Sequence, residues 1–364
     1  MNSRTLSRSD VVVLAGSAGL VVAAGVVRYS AVPAVLAFLV AGLAVALLAS
    51  VVGRSVEQLG DRFGPGATGV LQSALGNLPE LFIGFFALKA GLIAVVQAAI
   101  IGSILSNILL VLGLAFVVGG LRNGVQRFNS DRARTSAVLM VLATAALVLP
   151  SLADYVHAPA APHEKTLSLI VSVILLGVFL LSLPAALKRS PAPSPAPADG
   201  AEQPKERHQE GARWPLWLAV TLLAVASVAA ALVSDWFVHA LEPAIDALGI
   251  SQAFAGLVIV AIAGNAIENV VGIQLAYRNQ ADFAMSVIIQ SPIQIALVLA
   301  PALVLLSLFT ATTLTLVFAP MLVVAVAVTV IAVAFIVFDG ESTWLEGATL
   351  IALYAIIATS FWWG

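Results

Sequence analysis

The chain has 364 residues, of which 61% are hydrophobic and only 10% charged, with a formal net charge of −2. A soluble domain carries about 25% charged residues, so this composition excludes an ordinary soluble core and points to a polytopic helical membrane protein. The lack of cysteine rules out disulfides, thiolate metal sites and cysteine nucleophiles. Four scattered histidines without an HExxH pair argue against a zinc enzyme.

Apolar stretches of about 20 residues are candidate membrane spans. Eleven are expected, over residues 11–27, 33–51, 66–89, 92–119, 133–152, 166–187, 214–234, 252–277, 283–308, 314–337 and 343–363. The first, with Arg4 and Arg8 ahead of it, has no small-x-small cleavage site followed by a polar start, so it reads as a helix rather than a signal peptide. With the N-terminus cytoplasmic, every lysine and arginine except Arg28, Lys89 and Lys165 falls on the inner side, as the positive-inside rule requires. Segment 189–213, opening Arg189-Ser190-Pro191-Ala192-Pro193, is rich in Pro, Ala and charge and reads as a flexible cytoplasmic linker.

Two segments share a Gly-Asn-x-x-Glu pattern, Gly76-Asn77-Leu78-Pro79-Glu80 and Gly264-Asn265-Ala266-Ile267-Glu268. A shift of 188 residues aligns 66–113 with 254–301 without a gap, superposing Gly84 on Gly272 and Ser103 on Ser291 as well. The third and eighth helices then carry equivalent motifs but cross the membrane in opposite directions, which is inverted-topology duplication. The expected fold is an all-α polytopic membrane protein of about eleven transmembrane helices. One extra N-terminal helix (1–30) precedes two five-helix repeats (31–188 and 214–364) joined by the linker.

An intramembrane carboxylate is costly and marks a functional site by default. Glu80 and Glu268 therefore form the candidate cation site and the candidate metal ligands, because carboxylate and carbonyl oxygens suit hard cations such as Ca²⁺. Asn77 and Asn265 precede the acids by three residues and share a helical face with them. Gly76 and Gly264 serve either close helix packing or, beside the acids and Pro79, a helix break that frees carbonyls for an ion. On the next helix of each repeat, Ser103, Ser106 and Asn107 correspond to Ser291, Gln294 and Ile295. A serine there can simply bond its own i−4 carbonyl, whereas Asn107 and Gln294 need several partners if buried. Glu57 with Asp61, and Glu242 with Asp246, lie before the motif helices, either as solvated loop charge or as a relay at the mouth of each half-site.

These motifs resemble the Ca²⁺:cation antiporter superfamily, in particular its cation/proton exchanger (CAX) branch. The run Asp339-Gly340-Glu341-Ser342-Thr343-Trp344-Leu345-Glu346-Gly347 is similar to a C-terminal signature of that branch. The resemblance covers both repeats. It implies that Glu80 and Glu268 carry Ca²⁺ and protons, with Asn77, Asn265, Ser103, Ser291 and Gln294 lining the site or its access path. Glu57 would match the acid that ends the helix before the first motif, and Glu242 its counterpart. Three places depart from the branch. Asn269 stands where it usually has His after the second acid, Leu78-Pro79-Glu80 is similar to sodium/calcium exchangers, and the linker lacks a dense acidic run.

The expected function is secondary active antiport of Ca²⁺ against H⁺ by alternating access, without a resident cofactor and without nucleic acid. Expected partners are Ca²⁺ or other divalent cations, protons or Na⁺ as counter-ion, and the lipid bilayer, with a bacterial plasma membrane as the location. Na⁺/Ca²⁺ exchange on the same fold is the nearest alternative. A passive cation channel normally draws its pore from oligomeric symmetry, which a site duplicated within one chain does not need. A membrane enzyme lacks any supporting motif, with no GxSxG and no paired-Asp run.

Overall fold

The computed structural model describes residues 6–63, 71–72, 75–188 and 214–363; the side chains of Ile267 and Glu268 are outside that description. The expected linker at 189–213 and part of the expected third span lie outside it too.

The helices in chain order are α1 (Arg8–Arg28), α2 (Ala34–Phe63), α3 (Leu78–Lys89), α4 (Ile93–Asn123), α5 (Ser130–Tyr155) and α6 (Glu164–Lys188). Then come α7 (Leu216–Leu248), α8 (Gln252–Gly264), α9 (Ala266–Tyr277), α10 (Ala281–Ser307), α11 (Pro320–Ile336) and α12 (Trp344–Ser360). Among the described residues, seven helices are long and apolar enough to cross a membrane, or eight with the bent pair α8–α9 taken as one span. α11 and α12 are shorter apolar helices of 17 residues, so length and composition do not by themselves reach the expected eleven.

Three expected boundaries are corrected. α2 and α7 run on to Phe63 and Leu248, well beyond 51 and 234. The extensions are amphipathic: Val52, Val56 and Leu59 on α2 are buried at helical spacing, as are Leu241, Ala244 and Ile245 on α7. α7 stops only at Gly249, which takes a left-handed φ of 62°. The expected helix 314–337 begins at Pro320 instead. Residues before it alternate, burying Leu314, Leu316 and Phe318, a period of two that suits extended chain, and Pro320 disfavours helix in the residue ahead of it.

The duplication is visible in the backbone. α3 and α9 both have 12 residues, starting at 78 and 266, and the helices that follow start at 93 and 281. Both of these continue through a π-helical turn, Ser106–Val111 in α4 and Ile295–Leu299 in α10.

The connecting segments sort to two ends. The basic end holds an Arg54–Asp10 ion pair of 2.7 Å, a contact from Arg62 to the Trp214 carbonyl, and Arg122 over the Tyr277 ring. Here strand β1 (Gln126–Arg127) pairs antiparallel with β2 (Glu341–Ser342). At the far end the extended segment before α11 is held by side chains instead. Gln97 donates to the Thr315 and Val317 carbonyls, and Ser168 and Ser151 accept from the Leu316 and Phe318 amides. Each end joins loops that the alternation read from the sequence puts on one side.

The two halves interpenetrate through close backbone approaches. A Cβ at Gly102 of α4 would lie 2.2 Å from the Leu257 carbonyl oxygen of α8, and one at Gly347 of α12 would lie 2.5 Å from the Gly113 carbonyl oxygen. Small residues let membrane helices pack backbone to backbone. Gly347→Val should therefore destabilise by about 1–3 kcal/mol, the usual cost of overpacking. Gly177→Ala, where an added Cβ meets nothing within 4 Å, should not. Thermal unfolding followed by size-exclusion chromatography in detergent reads the difference.

Candidate functional site

Each Gly-Asn pair interrupts a helix. Asn77 has φ −92° and ψ 15°, and Asn265 has φ −95° and ψ 17°, so the two breaks adopt one geometry. α8 and the following helix are bent by 62° across the second. A helix end leaves carbonyls on one side and amides on the other without intrahelical partners. Glu80 falls in the first turn of α3, behind Pro79, where the amide dipoles favour a negative charge. The peptide geometry that breaks the helix thus also seats the acid.

Glu80 is buried, with 8% of its surface exposed. Its Oε1 accepts from Ser103 Oγ at 2.9 Å and from Asn265 Nδ2 at 2.5 Å. Asn265 Nδ2 also reaches Ser103 Oγ and the Ala261 carbonyl, each at 2.9 Å. Asn265 Oδ1 accepts from Asn107 Nδ2 at 3.1 Å and from Ser291 Oγ at 3.3 Å. Asn107 Nδ2 donates in addition to the Ser103 carbonyl. Five side chains from α3, α4, α8–α9 and α10 form one network, with Asn265 of the second half at its centre and Glu80 of the first half at its edge. Gly264 makes room for it: a Cβ there would stand 2.5 Å from Glu80 Cγ.

The structure brings together Glu80, Ser103, Asn107, Asn265, Ser291 and Gly264. Ser103 spends its hydroxyl proton on the carboxylate, not on its own i−4 carbonyl. Gln294 is buried one turn beyond Ser291, at the start of the α10 π-turn. Gly76 and Asn77 form the first break, and Asn77 Nδ2 is buried without a hydrogen-bond partner among the described residues, as are Asn107 Oδ1 and Asn269 Oδ1. Ser106 is buried in the α4 π-turn, which packs on α12, and is not part of the network. Glu268 is on α9 at the position equivalent to Glu80, and its side chain lies outside the description.

Glu57 and Glu242 are exposed on the last turns of α2 and α7, not in loops before the motif helices; the amphipathic extensions carry them there. Among the described residues no three His, Cys, Asp or Glu side chains cluster closely enough to hold a metal. Among the described side chains, the Glu80 carboxylate stands with amide, hydroxyl and carbonyl oxygens, a donor set that suits hard ions. Sequence reasoning missed the apolar collar beside Glu80, formed by Ile83, Ala87, Val95, Val96, Leu299 and Leu303. The repeated glycine four residues after each acid was the available signal.

Fold and site define a helical membrane protein whose duplicated halves meet at a buried carboxylate. The family described as "Sodium/calcium exchanger protein" matches residues 33–188 and 218–363. A Ca(2+)/H(+) antiporter of Aphanothece halophytica is 36% identical over 335 residues, covering 89% of each chain. The Ca(2+)/H(+) antiporter ChaA of Bacillus subtilis (strain 168) is 36% identical over 330 residues, covering 90% of this chain and 92% of that one. The solved structure of native YfkE superposes with a TM-score of 0.78 at 32% identity, covering 96% of this chain and 98% of that one. The chain belongs to the sodium/calcium exchanger protein family, that is, to the Ca²⁺:cation antiporter superfamily and its cation/proton exchanger branch, and it is a transporter.

Leaving a buried polar group unsatisfied costs about 1–3 kcal/mol. Asn265→Leu strips partners from Glu80, Ser103, Asn107 and Ser291, whereas Asn107→Leu strips them from Asn265 and one carbonyl. The apparent melting temperature should fall further for Asn265→Leu than for Asn107→Leu.

Proposed function

We propose that the protein exchanges Ca²⁺ for H⁺ across its membrane by alternating access, with Glu80 and Glu268 as the shared cation and proton site. The observation that carries this reading is the buried Glu80 carboxylate, held by Ser103 of its own half and Asn265 of the other. The names of the relatives that match along nearly the whole chain support the choice of ions.

The chemistry follows from burial. A carboxylic acid taken out of water favours its neutral form, while a divalent cation beside it favours the ionised form. Metal and proton then compete for the same oxygens, and two neighbouring acids titrate as a pair. If the protein changes facing only when the acids are neutralised, by Ca²⁺ or by protons, exchange is obligatory. Asn77 and Asn265, with Ser103, Ser291 and Gln294, complete the lining. We assign residues 31–188 and 214–364 to the two inverted repeats, 1–30 to an added helix and 189–213 to a cytoplasmic linker. The basic end faces the cytoplasm, as the positive-inside rule favours, and the membrane is a bacterial plasma membrane.

In proteoliposomes, an imposed pH gradient should drive radiolabelled Ca²⁺ uptake. Glu80→Gln and Glu268→Gln should each reduce it roughly tenfold or more, a loss of at least about 1.4 kcal/mol. Undiminished uptake in either variant removes the reading, and uptake driven by a Na⁺ gradient instead reassigns the counter-ion. If protons and Ca²⁺ compete for the same oxygens, apparent Ca²⁺ affinity should rise as pH is raised on the loading face. A flat pH profile would contradict competition.

A further inference from the structure

A cavity of about 160 Å³ lies between α1, α2 and α7, at the end of the molecule opposite the basic one and outside the ion site. Alanines make the room. Ala24 of α1, Ala37 and Ala41 of α2 and Ala240 of α7 line it, where bulkier side chains would fill the space between the three helices. Gly25 lets the Trp236 ring lie close against α1, since a Cβ there would stand 3.2 Å from that ring.

The rim of this slot is polar and cationic. Arg28 and His239 are exposed and complete the lining. Among the described residues no carboxylate pairs with the Arg28 guanidinium, which lies 5.7 Å from the Tyr29 ring centroid. His239 Nδ1 is 3.0 Å from the Asp235 carbonyl oxygen and 3.7 Å from the Asp235 carboxylate. Asp235 thus occupies one ring nitrogen and leaves Nε2 for a ligand.

Two helices independently put this rim at the depth of lipid phosphates. α1 has 21 residues from the basic end to Arg28, roughly 30 Å of helix, which is about the thickness of the hydrocarbon core of a bilayer. Trp236 falls 20 residues after Leu216, where α7 leaves the basic end, again roughly 30 Å. Tyr29 meets Trp236 edge-on with ring centroids 6.4 Å apart, and Tyr and Trp gather at the membrane–water interface. α1 is buried along little of its length, so its side of the slot borders the bilayer.

An apolar floor beneath a cationic rim has the outline of an amphiphile. A guanidinium holds a phosphate through paired N–H donors, and basic pockets between membrane helices bind lipid headgroups. Alanine methyls favour carbon over water, and a free inorganic anion has no carbon to set against them.

We propose that the slot between α1, α2 and α7 holds one anionic phospholipid from the leaflet at that end. Its phosphate lies on Arg28, its headgroup hydroxyls at His239, and its glycerol and first acyl carbons on the alanines. Such a lipid fastens the added helix α1 to both halves of the chain, because α2 belongs to the first and α7 to the second. The site is independent of which ions the protein exchanges.

The test is titration of the full-length protein, in a neutral detergent, with phosphatidylglycerol, following the first bound lipid by native mass spectrometry. Arg28→Gln should weaken its apparent affinity at least about tenfold, which is about 1.4 kcal/mol. Ala37→Leu fills the slot and keeps the charges, and should weaken it as much. Ala34→Leu, at another lining position, serves if that variant is not monodisperse. Lys165→Gln, at the same end but outside the slot, should leave the affinity unchanged. Equal affinity in wild type, Arg28→Gln and the filled slot overturns the proposal. So does an equal loss in Lys165→Gln, which marks charge attraction without a site. Loss in Arg28→Gln alone also overturns the lipid, and displacement by millimolar inorganic phosphate would then make the rim a free-anion site.

Discussion

A carboxylate cannot sit in the apolar middle of a membrane protein unless hydrogen-bond donors replace the water it has lost. Glu80 meets that constraint with a hydroxyl from α4 and an amide from the break between α8 and α9, and much of the architecture follows from it. The amide comes from the other half of the chain, so the halves must interpenetrate. Interpenetration brings α4 against α8 at Gly102, where any larger residue would strike the Leu257 carbonyl. Asn265 in turn is oriented by Asn107 and Ser291, which fixes how α4 and α10 stand around it. The π-turns of α4 and α10 follow these polar residues directly, Ser106–Val111 after Ser103 and Ile295–Leu299 after Ser291 and Gln294. Such turns are frequent at functional sites.

The duplication is tight where chemistry demands it and loose elsewhere. The two Asn residues at the breaks share backbone angles within a few degrees, and the short helices after them are equal in length. The extended stretches that follow α4 and α10 have diverged. The first forms β1 and pairs with β2 at the basic end. The second lies at the far end, and its backbone is met by Gln97, Ser151 and Ser168. Both solutions satisfy buried backbone groups without a helix, and they close the two ends of the molecule with different materials. Closing the ends differently leaves the two breaks alike, because the divergent stretches lie at the ends of the molecule and away from Asn77 and Asn265.

Some of this was legible in the chain itself. The Gly-Asn-x-x-Glu repeat, Ser103 and Ser291, and the solitary amide Asn107 stand out because polar groups in a 61% hydrophobic chain have few innocent roles. The ends of α2 and α7 were misjudged because hydropathy falls where a helix becomes amphipathic, although Val52, Val56 and Leu59 keep the helical spacing. Glu57 and Glu242 consequently read as loop charge. The extended chain before Pro320 was hidden by its apolar composition, which a span-length window cannot tell from helix.

Hydrophobic run length, the sign and position of charge, and the repeat of a polar motif are local properties. They determined by themselves that the chain is a helical membrane protein, duplicated with inverted topology, with a Gly-Asn-x-x-Glu motif in each half. Which groups touch Glu80 is a different kind of information. Asn265 and Glu80 are 185 residues apart in the chain, and Asn265 and Asn107 are 158 apart. Such contacts exist only once helices from both halves have packed. Tertiary structure therefore decided that one asparagine gathers the network, and that Ser106 lies outside it while Ser103 lies within it. The reason is geometric: spacing along a helix sets which face a residue shares, and only packing sets what that face meets.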